Sequence, residues 1–166
     1  MKHYLTILCV LVLCLSAGCG SKEDPELANY RTEMEQFYTS LEQYDAAINA
    51  IDATTPESVE ELLGILDEMN EAYQHMAAVA VPADFAAVGE LPAEAAENMS
   101  NALEQYRLAY ADGFDQGAAD VADQYYARAD RRAHLILTIL HGEIPSGEGI
   151  TVDTEESLSI DVVPEE

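Results

Sequence analysis

The sequence predicts an all-α protein: an antiparallel, up-down-up-down four-helix bundle over residues 25–142, followed by a disordered acidic C-terminal tail over 143–166. Three observations predict it. Apolar residues recur at heptad spacing along most of the chain, proline and glycine signals interrupt that spacing at three places, and no strand-like alternation appears within it. The chain of 166 residues is long enough for one such domain with a substantial core.

The first helix is read from Pro25 to Ile51. Leu27, Met34, Leu41 and Ile48 recur every seven residues, and Tyr30, Phe37, Tyr44 and Ile51 form a second series offset by three. This a/d stripe asks for a helix roughly 40 Å long whose apolar seam packs on other helices at a shallow angle. The stretch "ATTPES" ends it. Thr55 suits an N-cap with Pro56 in the first turn of the next helix, while Ser58 and Glu61 offer a capping box slightly later. The second stripe is Val59, Leu62, Leu66, Met69, Tyr73, Met76 and Ala80, stopped near Val81 by Pro82. "VPADFAAVGELP" then reads as a connection with Phe85 and Val88 folded onto the end of the bundle.

Pro92 opens the third helix, with Ala96, Met99, Leu103, Tyr106 and Tyr110 on one face. At "ADGFDQGAAD" the chain is expected to break. Gly113 suits a helix C-cap and Asp115 an N-cap, and each of the two glycines would cost about 1 kcal/mol inside a helix. The fourth helix carries Val121, Ala122, Tyr125, Ala129, Ile136, Ile139 and Leu140 and ends near His141 and Gly142. Beyond it come eight acids, no basic residue, Pro145 and Pro164, a composition that predicts disorder. "ITV" and "SLSIDVV" are β-prone islands suited to adding a strand to a partner's sheet edge.

The N-terminus has the three parts of an export signal. Lys2 and His3 precede an apolar run from Tyr4 to Leu15, and Ser16, Ala17 and Gly18 lead to Cys19. A membrane-spanning helix needs about 18 to 20 apolar residues, so this run is too short to span and fits a signal peptide over 1–18 that is removed. Leu15-Ser16-Ala17-Gly18-Cys19 resembles the lipobox of prokaryotic lipoprotein precursors, with Ser16 where that pattern prefers an aliphatic residue. The resemblance implies that Cys19 becomes the new N-terminus and carries a diacylglyceryl thioether. Residues 19–24 would then be a tether, and the protein would sit on the extracytoplasmic side of the cell membrane. Two or more acyl chains suffice for stable anchoring. Cys9 and Cys14 would leave with the signal, so the remaining thiol could form no internal disulfide. Residues 25–142, with the "YADGFDQGAAD" turn between two helices, are likewise similar to small helical lipoproteins of prokaryotic cell envelopes.

A formal net charge of −25 speaks against nucleic acid or anionic lipid as partners and favours cationic ones. No Glu-x-x-His pair of the di-iron type occurs; Glu71 to His75 and Asp130 to His134 are spaced by four and share a helix face. No Cys-x-x-Cys-His is present; a methionine with a histidine, for example Met34 or Met69 with His134, is a haem pairing the pattern leaves open, but methionines at heptad positions ordinarily pack the core. There is no nucleophile elbow and no phosphate-binding glycine loop after a strand, so no enzyme, cofactor or metal is expected. The candidates for ligand or partner contact are Tyr106, Tyr110 and Tyr125, with three clustered cations, Arg128, Arg131 and Arg132. The leading expectation is a non-enzymatic, membrane-tethered interaction module with a protein or envelope partner. The alternative is a bundle that binds a small ligand or a metal.

Overall fold

The computed structural model describes residues 24–142, 150–152 and 160–162. Residues 1–23, which hold the expected signal peptide, Cys19 and most of the expected tether, and 143–149, 153–159 and 163–166 lie outside the described residues.

Helix α1 spans Pro25–Ala50; the Asp24 side chain accepts from the Glu26 N–H, and Pro25 fills the position where a missing N–H costs nothing. Helix α2 spans Ser58–Ala78. Neither expected cap forms at its start. Asp52 instead organises the turn, accepting from both the N–H and the hydroxyl of Thr54, while the Thr55 hydroxyl donates to the Asp52 carbonyl. The two bonds from Thr54 hold the Asp52 carboxyl below its ordinary range. A short 3₁₀ segment, Ala83–Val88, follows Pro82, and Val88 is fully buried beneath it. Helix α3 spans Leu91–Tyr110 and α4 spans Gln116–Leu140. The break between them falls where the glycines place it. Gly113 has φ 102°, which a side chain would strain, and the Asp115 carboxylate caps α4 by accepting from the N–H groups of Gly117 and Ala118.

Bonds between helices fix the topology. Asp67 pairs with Arg107 while Asn70 and Gln74 bond Ser100, so α2 and α3 run antiparallel. Glu94 meets Arg132 and Tyr106 meets Asp123, which does the same for α3 and α4. Tyr38 reaches Ala133 and Tyr126 reaches Asp45, closing α4 against α1. The result is an antiparallel four-helix bundle. Among the described residues, no helix is long and apolar enough to cross a membrane.

The core runs the length of the bundle. Its α1–α2 side holds Tyr30, Met34, Phe37, Leu41, Leu66, Met69, Tyr73 and Met76; about half of the buried positions of α3 and α4 are alanine, including Ala95, Ala102, Ala109, Ala122, Ala129 and Ala133, beside larger residues such as Met99, Leu103 and Ile136. Small side chains let helix axes approach, and α3 and α4 are the most closely apposed pair. On α4 the structure buries Ala122, Ala129, Ile136 and Leu140 as expected, leaves Tyr125 and Ile139 half-buried, and corrects the placement of Val121. The buried heptad is Ala119, Ala122, Ala129, Ala133, Ile136 and Leu140, and Val121 is 39 % exposed. Ala80 lies past the end of α2 and is exposed.

Ile150–Val152 and Ile160–Val162 form strands β1 and β2, paired antiparallel with Ile150 opposite Val162 and Val152 opposite Ile160. The two β-prone islands thus pair with each other within a region expected to lack structure. β-branched residues at alternating positions favour this local pairing.

Candidate functional site

Besides Tyr30, whose hydroxyl is buried, four tyrosines, one from each helix, have their hydroxyls in or beside the bundle interior. Tyr38 of α1 donates to the Ala133 carbonyl, Tyr106 of α3 to Asp123 at 2.5 Å, and Tyr126 of α4 to Asp45 at 3.0 Å. Tyr73 of α2 is buried, with its ring edge-on to Phe37 at 5.0 Å between centroids. Burial pushes all four phenols well above the ordinary tyrosine range, and nearby carboxylates add to the shift: Asp123 for Tyr106, Asp45 for Tyr126, Asp130 for Tyr38 and Tyr73. These are protonated donors at neutral pH. Tyr38, Tyr106 and Tyr126 clamp helices together through their hydroxyls, and Tyr38 and Tyr126 both act on the α1–α4 seam, where close backbone approaches are few.

The residues expected to make contacts do not converge on one place. Tyr106 is half-buried and engaged with Asp123. Tyr110 packs its ring 5.5 Å from that of Phe114 and lines a cleft of about 230 Å³ with Ile48, Ile51 and Val59. Tyr125 lies beneath the Arg128 guanidinium, 5.7 Å from the ring centroid, within the range of a cation–π contact. Arg132 bonds Glu94 at 2.5 Å and reaches the Arg128 carbonyl, whereas Arg131 is exposed. Along α4, Asp123 and Arg132 are about 14 Å apart at 1.5 Å per residue. Cys19 lies outside the described residues.

Sequence reasoning missed Tyr38 and Tyr126 and put Tyr125 on the inner stripe. The alanines of α4 carry the signal that finds Tyr126, because Ala119, Ala122, Ala129 and Ala133 continue in steps of three and four through position 126. Tyr38 sits on the flank of the α1 stripe, where a helix touching two neighbours needs a wider apolar face.

His134 is exposed; its Nδ1 lies 3.3 Å from an Asp130 carboxylate oxygen and its ring meets Tyr38 edge-on. Met34 and Met69 are core residues. Among the described residues, no group of three or more His, Cys, Asp or Glu side chains is placed to hold a metal ion.

Among the described residues, three large apolar side chains are exposed: Leu108 at 54 %, Phe114 at 60 % and Val121 at 39 %. All lie within six residues of the 111–115 turn. Tyr110, beside that turn, shares its cleft with the C-terminal end of α1, so this tip is opposite the end at which Asp24 enters the bundle. Compared with known protein families, curated proteins and solved structures, the chain matches none.

Proposed function

We propose that the protein is a non-enzymatic interaction module, held at the extracytoplasmic face of the cell membrane by a lipid on Cys19 and presenting the α3–α4 tip to a protein partner. The observation that carries the reading is the placement of Leu108, Phe114 and Val121 at the end of the bundle opposite Asp24. A tether at residues 19–24 would leave that tip up to about 39 Å away, the length of a 26-residue helix. Exposed apolar side chains gathered in one region mark interaction surfaces more often than scattered ones do. The charge of −25 keeps the bundle off anionic lipid headgroups and favours a partner with basic residues around an apolar contact.

Membrane fractionation of the full chain and of Cys19→Ser tests the anchor: release of the variant into the soluble fraction is expected, and unchanged membrane association would sink it. Paired substitution of Leu108 and Phe114 by glutamate tests the tip. The expected outcome is loss of specific cross-links in envelope preparations with an unaltered circular dichroism spectrum. Retention of a stoichiometric metal or small molecule in native mass spectrometry would favour the ligand-binding alternative instead.

A further inference from the structure

Where α1 ends and α2 begins, Ile48, Ile51, Val59 and Leu62 form with Tyr110 of α3 a cleft of about 230 Å³, with Ala53 at its rim. The five large side chains are half-buried and Ala53 is exposed, so the cleft opens to solvent. Tyr110 carries it toward the α3–α4 turn, because its ring lies 5.5 Å from that of Phe114, which is 60 % exposed. The volume falls below the about 300 Å³ at which small-molecule sites begin and suits one aliphatic or aromatic side chain.

Charge decides what kind of chain brings that side chain. Residues 45–66 and 108–127, which make this end of the bundle, include no Lys, Arg or His. Asp52, Glu57, Glu60, Glu61, Asp112 and Asp120 are exposed there, and among the described residues none of them is in an ion pair. Arg107 is the cation nearest in sequence, and Asp67 holds it. A second copy of this chain, at a net charge of −25, would bring like charge to this end, as would the tail from 143 to 166 with its eight acids and no base. The tail also departs from the far end of α4. An oligonucleotide or an anionic headgroup is repelled for the same reason.

We propose that the cleft and the Phe114 ring take one face of a lysine- or arginine-rich amphipathic helix belonging to a partner protein. A large apolar side chain enters between Ile48, Val59 and Tyr110, and the next apolar residue of that face, about 6 Å further along the helix axis, lies on Phe114. The basic flanks meet the acids of the α1–α2 connection on one side and Asp112 of the α3–α4 turn on the other. This deepens the interaction-module reading and rests on it, since it gives the partner's chemistry and seats its anchor in the cleft.

The probe is a capped peptide of about 18 residues, roughly five helical turns, with leucine on one face and lysine on the other. It is titrated into the full chain beside a leucine–glutamate peptide of the same pattern and a scrambled leucine–lysine peptide. The amphipathic leucine–lysine helix is expected to bind about tenfold tighter than either control and to shift the methyl resonances of Ile48, Ile51, Val59 and Leu62. Ala53→Phe, which grows into the cleft from an exposed position, is expected to weaken binding about tenfold. Glu57→Lys with Glu61→Lys should weaken it several-fold, whereas Glu90→Lys with Glu97→Lys, exposed at the opposite end, should leave it within about twofold. Equal binding of the scrambled peptide, or equal loss from the two charge reversals, would overturn the proposal, because attraction to net charge alone predicts both. So would cleft methyl shifts that follow protein concentration without peptide, which would assign the cleft to a second copy. Negative peptide results beside cross-links that depend on Leu108 and Phe114 would overturn this assignment and leave the interaction module standing; absence of those cross-links as well would remove both.

Discussion

About half of the buried side chains of α3 and α4 are alanine, among them Ala95, Ala102, Ala109, Ala122, Ala129 and Ala133; on α1 and α2 none is, and the buried residues are Tyr30, Met34, Phe37, Leu41, Leu66, Met69, Tyr73 and Met76. One half is held by closeness of backbones, the other by bulk of side chains. A small-residue interface tolerates no enlargement, because nothing at it can move aside, whereas a bulky interface tolerates no truncation, because surrounding helices collapse only partly into the space. The same chain therefore has two opposite sensitivities.

The largest effect should come from truncation on the bulky side. Phe37 packs edge-on against Tyr38 and Tyr73, and Phe37→Ala is expected to destabilise by about 3 to 5 kcal/mol in urea unfolding. On the alanine side the damage comes from growth. Ala129→Leu should cost about 1 to 3 kcal/mol, while the volume-conserving Met69→Leu across the bundle should cost less than about 1.5 kcal/mol. Equal tolerance of enlargement in both halves would erase the distinction.

The tyrosines sharpen the comparison where the halves meet. Tyr126 donates to Asp45, whereas the Tyr30 hydroxyl is buried with no partner among the described residues, its ring stacked 6.1 Å from Phe85. Tyr126→Phe should therefore destabilise by about 1 kcal/mol, and Tyr30→Phe should be neutral or stabilise by a similar amount. Burial pushes the Tyr30 phenol up to about 12. The folded state thus holds this proton more tightly than the unfolded chain, whose phenols titrate near 10. The resulting stability is complete below about pH 10 and drains as pH rises from there through 12. Unfolding midpoints followed across that window should fall, less steeply in Tyr30→Phe.

How much of this was legible in the sequence follows from side-chain size. The α1 and α2 stripes consist of large residues, and their heptads point directly to Tyr30, Met34, Phe37, Met69 and Tyr73. On α4, Ala122 and Ala129 are read correctly, but Val121 and Tyr125 outweigh alanine in any hydrophobic pattern and draw the reading away from Ala119, Tyr126 and Ala133, through which the seam also runs. Alanine is as compatible with solvent as with a core, so only its spacing identifies it. The turn at 111–115 was readable because glycine and aspartate act there through backbone geometry and capping, which are local. The tyrosine clamps between α1 and α4 were not readable as pairs, since Asp45 and Tyr126 are 81 positions apart and nothing local links them.

The smallest expected effect concerns charge. Arg107 and Asp67 pair between α2 and α3 with side chains 55 % and 46 % exposed. Exposed pairs of this kind contribute between about 0.2 and 1 kcal/mol, because solvent screens the attraction and both side chains lose rotamer freedom. Arg107→Gln also deletes one of seven cations from a chain with 32 acids, so repulsion among the remaining carboxylates rises slightly. The two contributions have the same sign, yet their sum should stay below about 1 kcal/mol and shrink as salt is raised from 0.05 to about 0.5 M. A loss comparable to that of Ala129→Leu, persisting at high salt, would mean that the α2–α3 contact rests on this ion pair and that packing alone does not separate the two halves.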